Sequence, residues 1–194
     1  IDAQPGQRLP LQFAMRLPGF GQTFTLANPA VNEEPTMPLE WTMTSTLVQT
    51  GPVATVVKTA DVVWELEPGT RPDARYRYYR VKGGTMTYEY DGDFNNCRVR
   101  FTETLEIPAG ATNHSLKFDM GANPPLFSGF ARASNKAVNV QGSCSDGTTL
   151  PYATTAGGVY LNADNLAVNG NTSFTGGWSD GAGTQISFQF TKRR

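Results

Sequence analysis

The feature that most constrains this chain is a period-two alternation of apolar and polar residues that recurs from one end to the other. Leu11, Phe13, Met15 and Leu17 alternate with Gln12, Ala14 and Arg16; Phe24 and Leu26 alternate with Thr23 and Thr25. Trp41, Met43, Ser45 and Leu47 share a phase against Thr42, Thr44 and Thr46, and Val62, Trp64 and Leu66 stand against Glu65 and Glu67. The longest uninterrupted run is Cys97, Val99, Phe101, Glu103, Leu105, Ile107. Successive side chains of an extended strand point to opposite faces, so this period is that of a half-buried β-strand.

Further segments continue the series: Val53 to Val57, Tyr76 to Val81, Met86 to Tyr90, Leu116 to Met120, Val138 to Val140, Val159 to Leu161, Leu166 to Val168, Phe174 to Trp178, and Ile186 to Phe190. The count is about a dozen short strands. Between them lie pairs such as Pro68-Gly69, Gly83-Gly84, Asp91-Gly92, Asp146-Gly147 and Asp180-Gly181, which suit tight turns because glycine accepts positive φ. Two hairpins are expected: Met86–Tyr90 with Cys97–Ile107 across residues 91–96, and Phe174–Trp178 with Ile186–Phe190 across residues 180–183. No window has helical periodicity. The expected fold is an all-β antiparallel sandwich or closed barrel, the two not being separable at this level.

At 194 residues a single β domain is the expected organisation, large enough to bury about 70% of its unfolded surface without depending on cross-links. Residues 27–38, with Pro29, Pro35 and Pro38, read as a long loop or linker; 121–126, with Pro124-Pro125, and 143–157 are the next loop candidates.

Cys97 and Cys144 are the only cysteines, and no second thiol or nearby histidine makes a zinc site of either. A disulfide between them closes a loop spanning 47 positions and restricts the unfolded chain by about 4 kcal/mol on the loop-entropy argument. Such bonds persist outside the cell, at its surface or in the periplasm. An initiator methionine is absent at Ile1, which is the expectation for a chain whose secretion leader has been removed and equally for an excerpt of a longer protein. No apolar run approaches the ~18 residues of a membrane helix.

Sixteen Lys and Arg balance seventeen Asp and Glu, so nucleic acid is not an expected partner: only residues 71–80 and Lys192-Arg193-Arg194 carry local basic excess. A single histidine, His114, reads as an exposed turn residue and excludes histidine metal clusters; no Gly-x-Ser-x-Gly elbow displays a nucleophile. No cofactor is expected. Calcium is the one metal considered, because Asp91-x-Asp93-x-Asn95 opens like a calcium loop; yet the sixth-position Gly is missing and the twelfth is Thr102, so a hairpin turn is the simpler account. Asn113-His114-Ser115 and Asn171-Thr172-Ser173 match the N-glycosylation acceptor pattern, leaving Asn113 and Asn171 as conditional modification sites.

Two features point to function. Glu103 occupies the apolar phase of its strand, and Arg80 shares a phase with Tyr76 and Tyr78; if both are interior, they form an ion pair or line a cavity. Carboxylate pairs for glycoside hydrolysis drawn from Glu103, Glu106, Glu89 and Asp119 carry no specificity. The run Arg75-Tyr76-Arg77-Tyr78-Tyr79-Arg80 places Arg75, Arg77 and Tyr79 on one face and Tyr76, Tyr78 and Arg80 on the other, with Tyr88 and Tyr90 on a neighbouring strand. Phenol and guanidinium groups combine flat apolar surface with hydrogen-bonding edges, which suits sugars or a partner protein.

The expected function is therefore a non-catalytic secreted or surface module binding carbohydrate or protein through this strip. The alternatives are a structural subunit of a surface or extracellular assembly, and a small-barrel ligand carrier or carboxylate-dependent hydrolase with Glu103 and Arg80 in a cavity.

Overall fold

Alternation becomes strand throughout the residues that a computed structural model of the protein describes, namely 38–71, 73–112, 114–168, 170 and 172–193. In chain order these form β1 (Glu40–Thr50), β2 (Ala54–Leu66), β3 (Tyr76–Phe94), β4 (Cys97–Ile107), β5 (His114–Asp119), β6 (Leu126–Cys144), β7 (Thr149–Ala167), β8 (Ser173–Ser179) and β9 (Thr184–Arg193). All pairings are antiparallel and all nine belong to one sheet. Residues Thr36–Arg194 form one unit. The alternating segments at 11–17 and 23–26, and the loop or linker expected at 27–38 apart from Pro38, lie outside the described residues, as do Asn113 and Asn171.

The sheet closes on itself only in part. β3 pairs with β5 through Tyr76–Tyr79 and with β4 through Gly84–Phe94, while β6 pairs with β5 along Leu126–Ala131 and meets β4 at Cys97↔Cys144 and Arg98↔Ser143. Strands β3, β4, β6 and β5 thus make a closed circuit. On one side of it the sheet continues as β2, β1, β9, β8, and on the other as β7. β7 packs over β1, β2, β8 and β9 across the core, and among the described residues its only pairing is with β6. The result is part barrel and part sandwich.

Among the described residues the strands are fewer and longer than expected, because segments read as separate strands are continuous, as where Gly83-Gly84, read as a turn, is a bulge inside β3. At Gly83-Gly84 the β2–β3 register jumps: Trp64 pairs with Val81 and Val63 with Gly83, leaving Lys82 as an extra residue that reaches outward to the Glu40 carboxylate. Glycine is needed here, since a Cβ on Gly84 would stand 2.4 Å from the Asp61 carbonyl oxygen. A second set of register shifts runs along β6–β7, where Gly157 and Gly158 take φ of 134° and 94°. The stretch 143–157 is consequently a hairpin closed by a turn at Ser145–Thr148. Its weak apolar phase of Leu150, Tyr152 and Thr154 concealed the strand. Both expected hairpins form, the first with a tighter turn at Asn95-Asn96, each at positive φ.

The core beneath β1, β3, β5, β6, β8 and β9 is dominated by rings. Phe174 and Phe190 stack at 4.7 Å, Trp41 meets both edge-on, and Phe118 and Phe127 complete the cluster. All are buried. Truncating such a ring costs about 3–5 kcal/mol, so this cluster is the main anchor of the fold.

Candidate binding site

The bulge at Lys82 decides which tyrosines can share a surface. Before it, the inward positions of β3 are Arg77, Tyr79 and Val81; after it they are Met86, Tyr88 and Tyr90. The Tyr–Arg strip is therefore split. Tyr76, Tyr78 and Arg80 face outward, whereas Tyr79 is buried and donates its hydroxyl proton to the Pro38 carbonyl at 2.8 Å. Arg77 is buried as well, donating from Nε to the Ala74 carbonyl. Tyr76 is covered by the cations of Arg75 and Lys117, 4.9 and 4.8 Å from its ring centre, and Arg75 binds Asp119. Tyr78 alone of the strip offers an open ring.

The interior placement expected of Arg80 is overturned: it is exposed and pairs with Glu65 at 2.7 Å. Its phase matched that of Tyr76 and Tyr78, but that phase is the outer one. Glu103 does lie on the inner phase of β4, half-buried, and it accepts a hydrogen bond from Lys136 of β6 at 2.5 Å. Glu103 and Arg80 are thus not brought together. Nor are the carboxylates considered for hydrolysis, because Glu89 and Glu106 face outward and Asp119 is held by Arg75.

Inside the circuit, an aromatic ladder runs between β3, β4 and β7. Tyr88 stacks on Phe101 at 5.9 Å, Phe101 on Tyr90 at 5.3 Å, Tyr90 lies against Tyr152 at 5.8 Å, and Tyr152 meets Phe94 at 5.4 Å. The ladder passes from buried Tyr88 to Phe94, which is 44% exposed. The Tyr152 hydroxyl donates to that of Tyr90 at 3.3 Å. Burial, and then this hydrogen bond, push the Tyr90 phenol up to about 12, and burial also raises Tyr88, so both remain neutral hydrogen-bonding groups at ordinary pH. Sequence reasoning found Tyr88 and Tyr90 but missed Tyr152 and Phe94. Phe94 shares the even-numbered phase of Tyr88 and Tyr90, a signal present in the chain; Tyr152 arrives from a distant strand.

One row deeper, the sheet becomes polar. Lys58 of β2 pairs with Tyr88 of β3, and Tyr88 with Glu103 of β4, so the three lie side by side on the inner face with Lys136 above Glu103. Lys58 is only 8% exposed. Burial lowers its pKa from the usual 10.5, and the Arg132 charge lowers it further. On the outer face of the same strands, Asp91 is paired with Arg98 at 2.5 Å and Arg100 at 3.1 Å, and Asp93 with Arg98 at 3.1 Å. These arginines hold the Asp91 carboxyl below its usual range. The aspartates of the calcium-like triplet are thereby engaged, and Asn95 forms the hairpin turn. Among the described residues no cluster of three or more His, Cys, Asp or Glu is placed to hold a metal.

His114 is not an exposed turn residue. It opens β5 with its ring 6.1 Å from Trp64 and 5.7 Å from Tyr160, and both ring nitrogens, the Tyr160 hydroxyl and Trp64 Nε1 are buried without a hydrogen-bond partner. The two cysteines form the expected bridge, at the end of the β4–β6 contact.

Comparison with models of known protein families, with curated proteins and with solved structures finds no match to this chain. Among the described residues no helix is long and apolar enough to cross a membrane.

Proposed function

We propose that this domain is a non-catalytic extracytoplasmic binding module whose ligand is a saccharide, taken on the outer end of the aromatic ladder. The observation that carries the reading is the ladder itself: five rings in one continuous contact, ending in the exposed Phe94 beside the half-exposed Tyr152. Aromatic faces stack on the apolar faces of sugar rings, and the two phenols supply hydrogen bonds at the edge. Support for the compartment comes from the Cys97–Cys144 bridge, which is of a kind that persists in oxidising surroundings.

The test is a glycan array probed with the wild-type chain and with Phe94→Ala, Tyr152→Ala and, as a control on the other face, Tyr78→Ala. The expected result is a glycan class bound by wild type and by the Tyr78 variant, with affinity falling about tenfold or more for the ladder variants. A blank array, or loss on Tyr78→Ala alone, would reject the ladder as the binding surface.

A second reading, that of an assembling subunit, has support from β8: among the described residues it pairs with β9 alone, and it carries Trp178, 46% exposed. An unpaired strand edge is a template for another chain. Sedimentation at rising concentration tests it, and a monomer throughout would dismiss it.

A further inference from the structure

Among the described residues two strands, β7 and β8, are paired on one side only, β7 with β6 and β8 with β9, and their free edges are not alike. A free strand edge invites another chain, and folds blunt it with proline, charge and irregular backbone. β7 carries all three: Pro151 has no N–H to offer, Asp164 brings charge, and Gly157, Gly158 and Asn165 hold φ of 134°, 94° and 51°. β8 carries none. Its sequence, Ser-Phe-Thr-Gly-Gly-Trp-Ser, holds neither proline nor charge, and it pairs with β9 along its whole length without a register shift. Asp180, the next residue, has its carboxylate occupied by the backbone N–H groups of Ala182 and Thr184.

The direction of the free backbone groups follows from the β9 ladder. Lys192 N–H donates to the Thr172 carbonyl at 2.7 Å and Asp180 N–H to the Thr184 carbonyl at 3.1 Å, so even-numbered residues of β8 turn their backbone groups toward β9 and odd-numbered ones turn away. The outward carbonyl of Ser173 is crowded, since a Cβ on Gly170 would stand 2.5 Å from it. Thr175, Gly177 and Ser179 remain. A two-fold axis on Gly177 lets two such edges satisfy each other, Thr175 opposite Ser179 and Gly177 opposite itself. The same register sets Trp178, 46% exposed and on the inner phase of buried Phe174, across from the second copy's Gly176, against the Phe188 ring that lies over that glycine.

We infer that β8 pairs antiparallel with β8 of a second copy of this chain, closing a two-fold dimer through Thr175, Gly177 and Ser179. This dimer rests on the reading of the domain as an assembling subunit and gives it a partner and a register. A symmetric interface sets each surface against itself, so any charge on the strand would meet its like near the axis, and β8 has none. Self-pairing consumes the edge, and the blunted β7 edge does not extend the sheet, so assembly stops at two copies.

The test combines sedimentation of the full chain at rising concentration with oxidative cross-linking of Thr175→Cys and Ser179→Cys variants. Wild type is expected to pass from monomer to dimer and no further. Neither cysteine variant should cross-link by itself, because each position faces the other; a mixture of the two should give a covalent dimer. Thr175→Pro, whose lost N–H points away from β9, and Trp178→Lys should each weaken dimerisation about tenfold or more while keeping the circular dichroism of wild type. The cross-link decides the register even if either of these variants fails to fold. A dimer whose mixed cysteine variants do not cross-link, or growth into larger oligomers, would overturn the β8 pairing and leave the assembling reading standing. A monomer at every concentration, as when another segment of the same chain takes the edge, would bring down both.

Discussion

Glu103 on β4 and Lys136 on β6 are joined by a 2.5 Å hydrogen-bonded ion pair at a level where their strands, paired at Cys97↔Cys144, no longer pair with each other. The pair is a strut across the widening seam that the ladder fills. Because Lys136 is more than half exposed, water weakens the attraction, and the coupling measured by a Glu103→Gln and Lys136→Met double-mutant cycle in urea should be about 1 kcal/mol or less. A coupling of about 3 kcal/mol would mean that the seam is far drier than its exposure indicates.

The disulfide lies at the tip of the same seam and joins residues 47 apart. Replacing both cysteines by serine should lower the unfolding free energy by about 4 kcal/mol if the effect is on the unfolded chain alone. Chemical denaturation of the double variant, with the slope compared to wild type, checks this. An unchanged midpoint would show that the strand pairings already impose the same restriction.

Glycine at position 84 is dictated by contact. Gly84→Ala would drive a Cβ into the Asp61 carbonyl at 2.4 Å and Val62 Cα at 2.9 Å, whereas a Cβ on Gly51 meets only the Ala54 carbonyl at an ordinary 3.5 Å. The first change should cost about 2–3 kcal/mol and the second less than about 1 kcal/mol. Thermal melts of the two variants side by side give the comparison, and equal melting temperatures would contradict the close approach.

Burial holds the His114 pKa below its usual 6.5. The rings that pack against it, Trp64 and Tyr160, carry no charge to stabilise an imidazolium. A folded-state value below the unfolded one makes the contribution to stability fully present above 6.5 and progressively lost as pH falls through and below it. Urea midpoints at about pH 7.5 and about pH 5.5 should therefore differ for wild type more than for His114→Gln. The carboxylates lowered by ion pairs, such as Asp91 and Asp119, act in a separate and more acidic window.

Much of this was legible in the chain. Among the described residues alternation marks at least part of each of the nine strands, β7 only in its second half; the Trp41 and Val62 phases predict their buried residues, and two cysteines admit one bridge. What escaped was the phase of each strand after a bulge. Gly83-Gly84 reads identically in a hairpin turn and in a bulge, because both need a residue without a Cβ, and only the neighbouring Asp61 backbone tells them apart. Lys58 carried a signal, being on the phase of Ala60, Val62 and Trp64, but it falls between two segments that were read as separate strands. Tyr152 joins the ladder through the β6–β7 hairpin, a relation between distant residues that no local pattern encodes.

Lys82 gives the register shift in β3 a meaning of its own. One residue, inserted where two glycines let the chain step aside, reverses the orientation of every side chain that follows on the strand. It works as a reading-frame change does in a gene, with inside and outside in place of codons. Without it Tyr88 and Tyr90 would face solvent, and Glu89 and Asp91 would point at the core. The inward facing of Tyr88 and Tyr90, and with it the contacts that join Phe101 and Tyr152 into one ladder, depends on a single added amino acid some distance away, so one insertion or deletion would make or break that continuity.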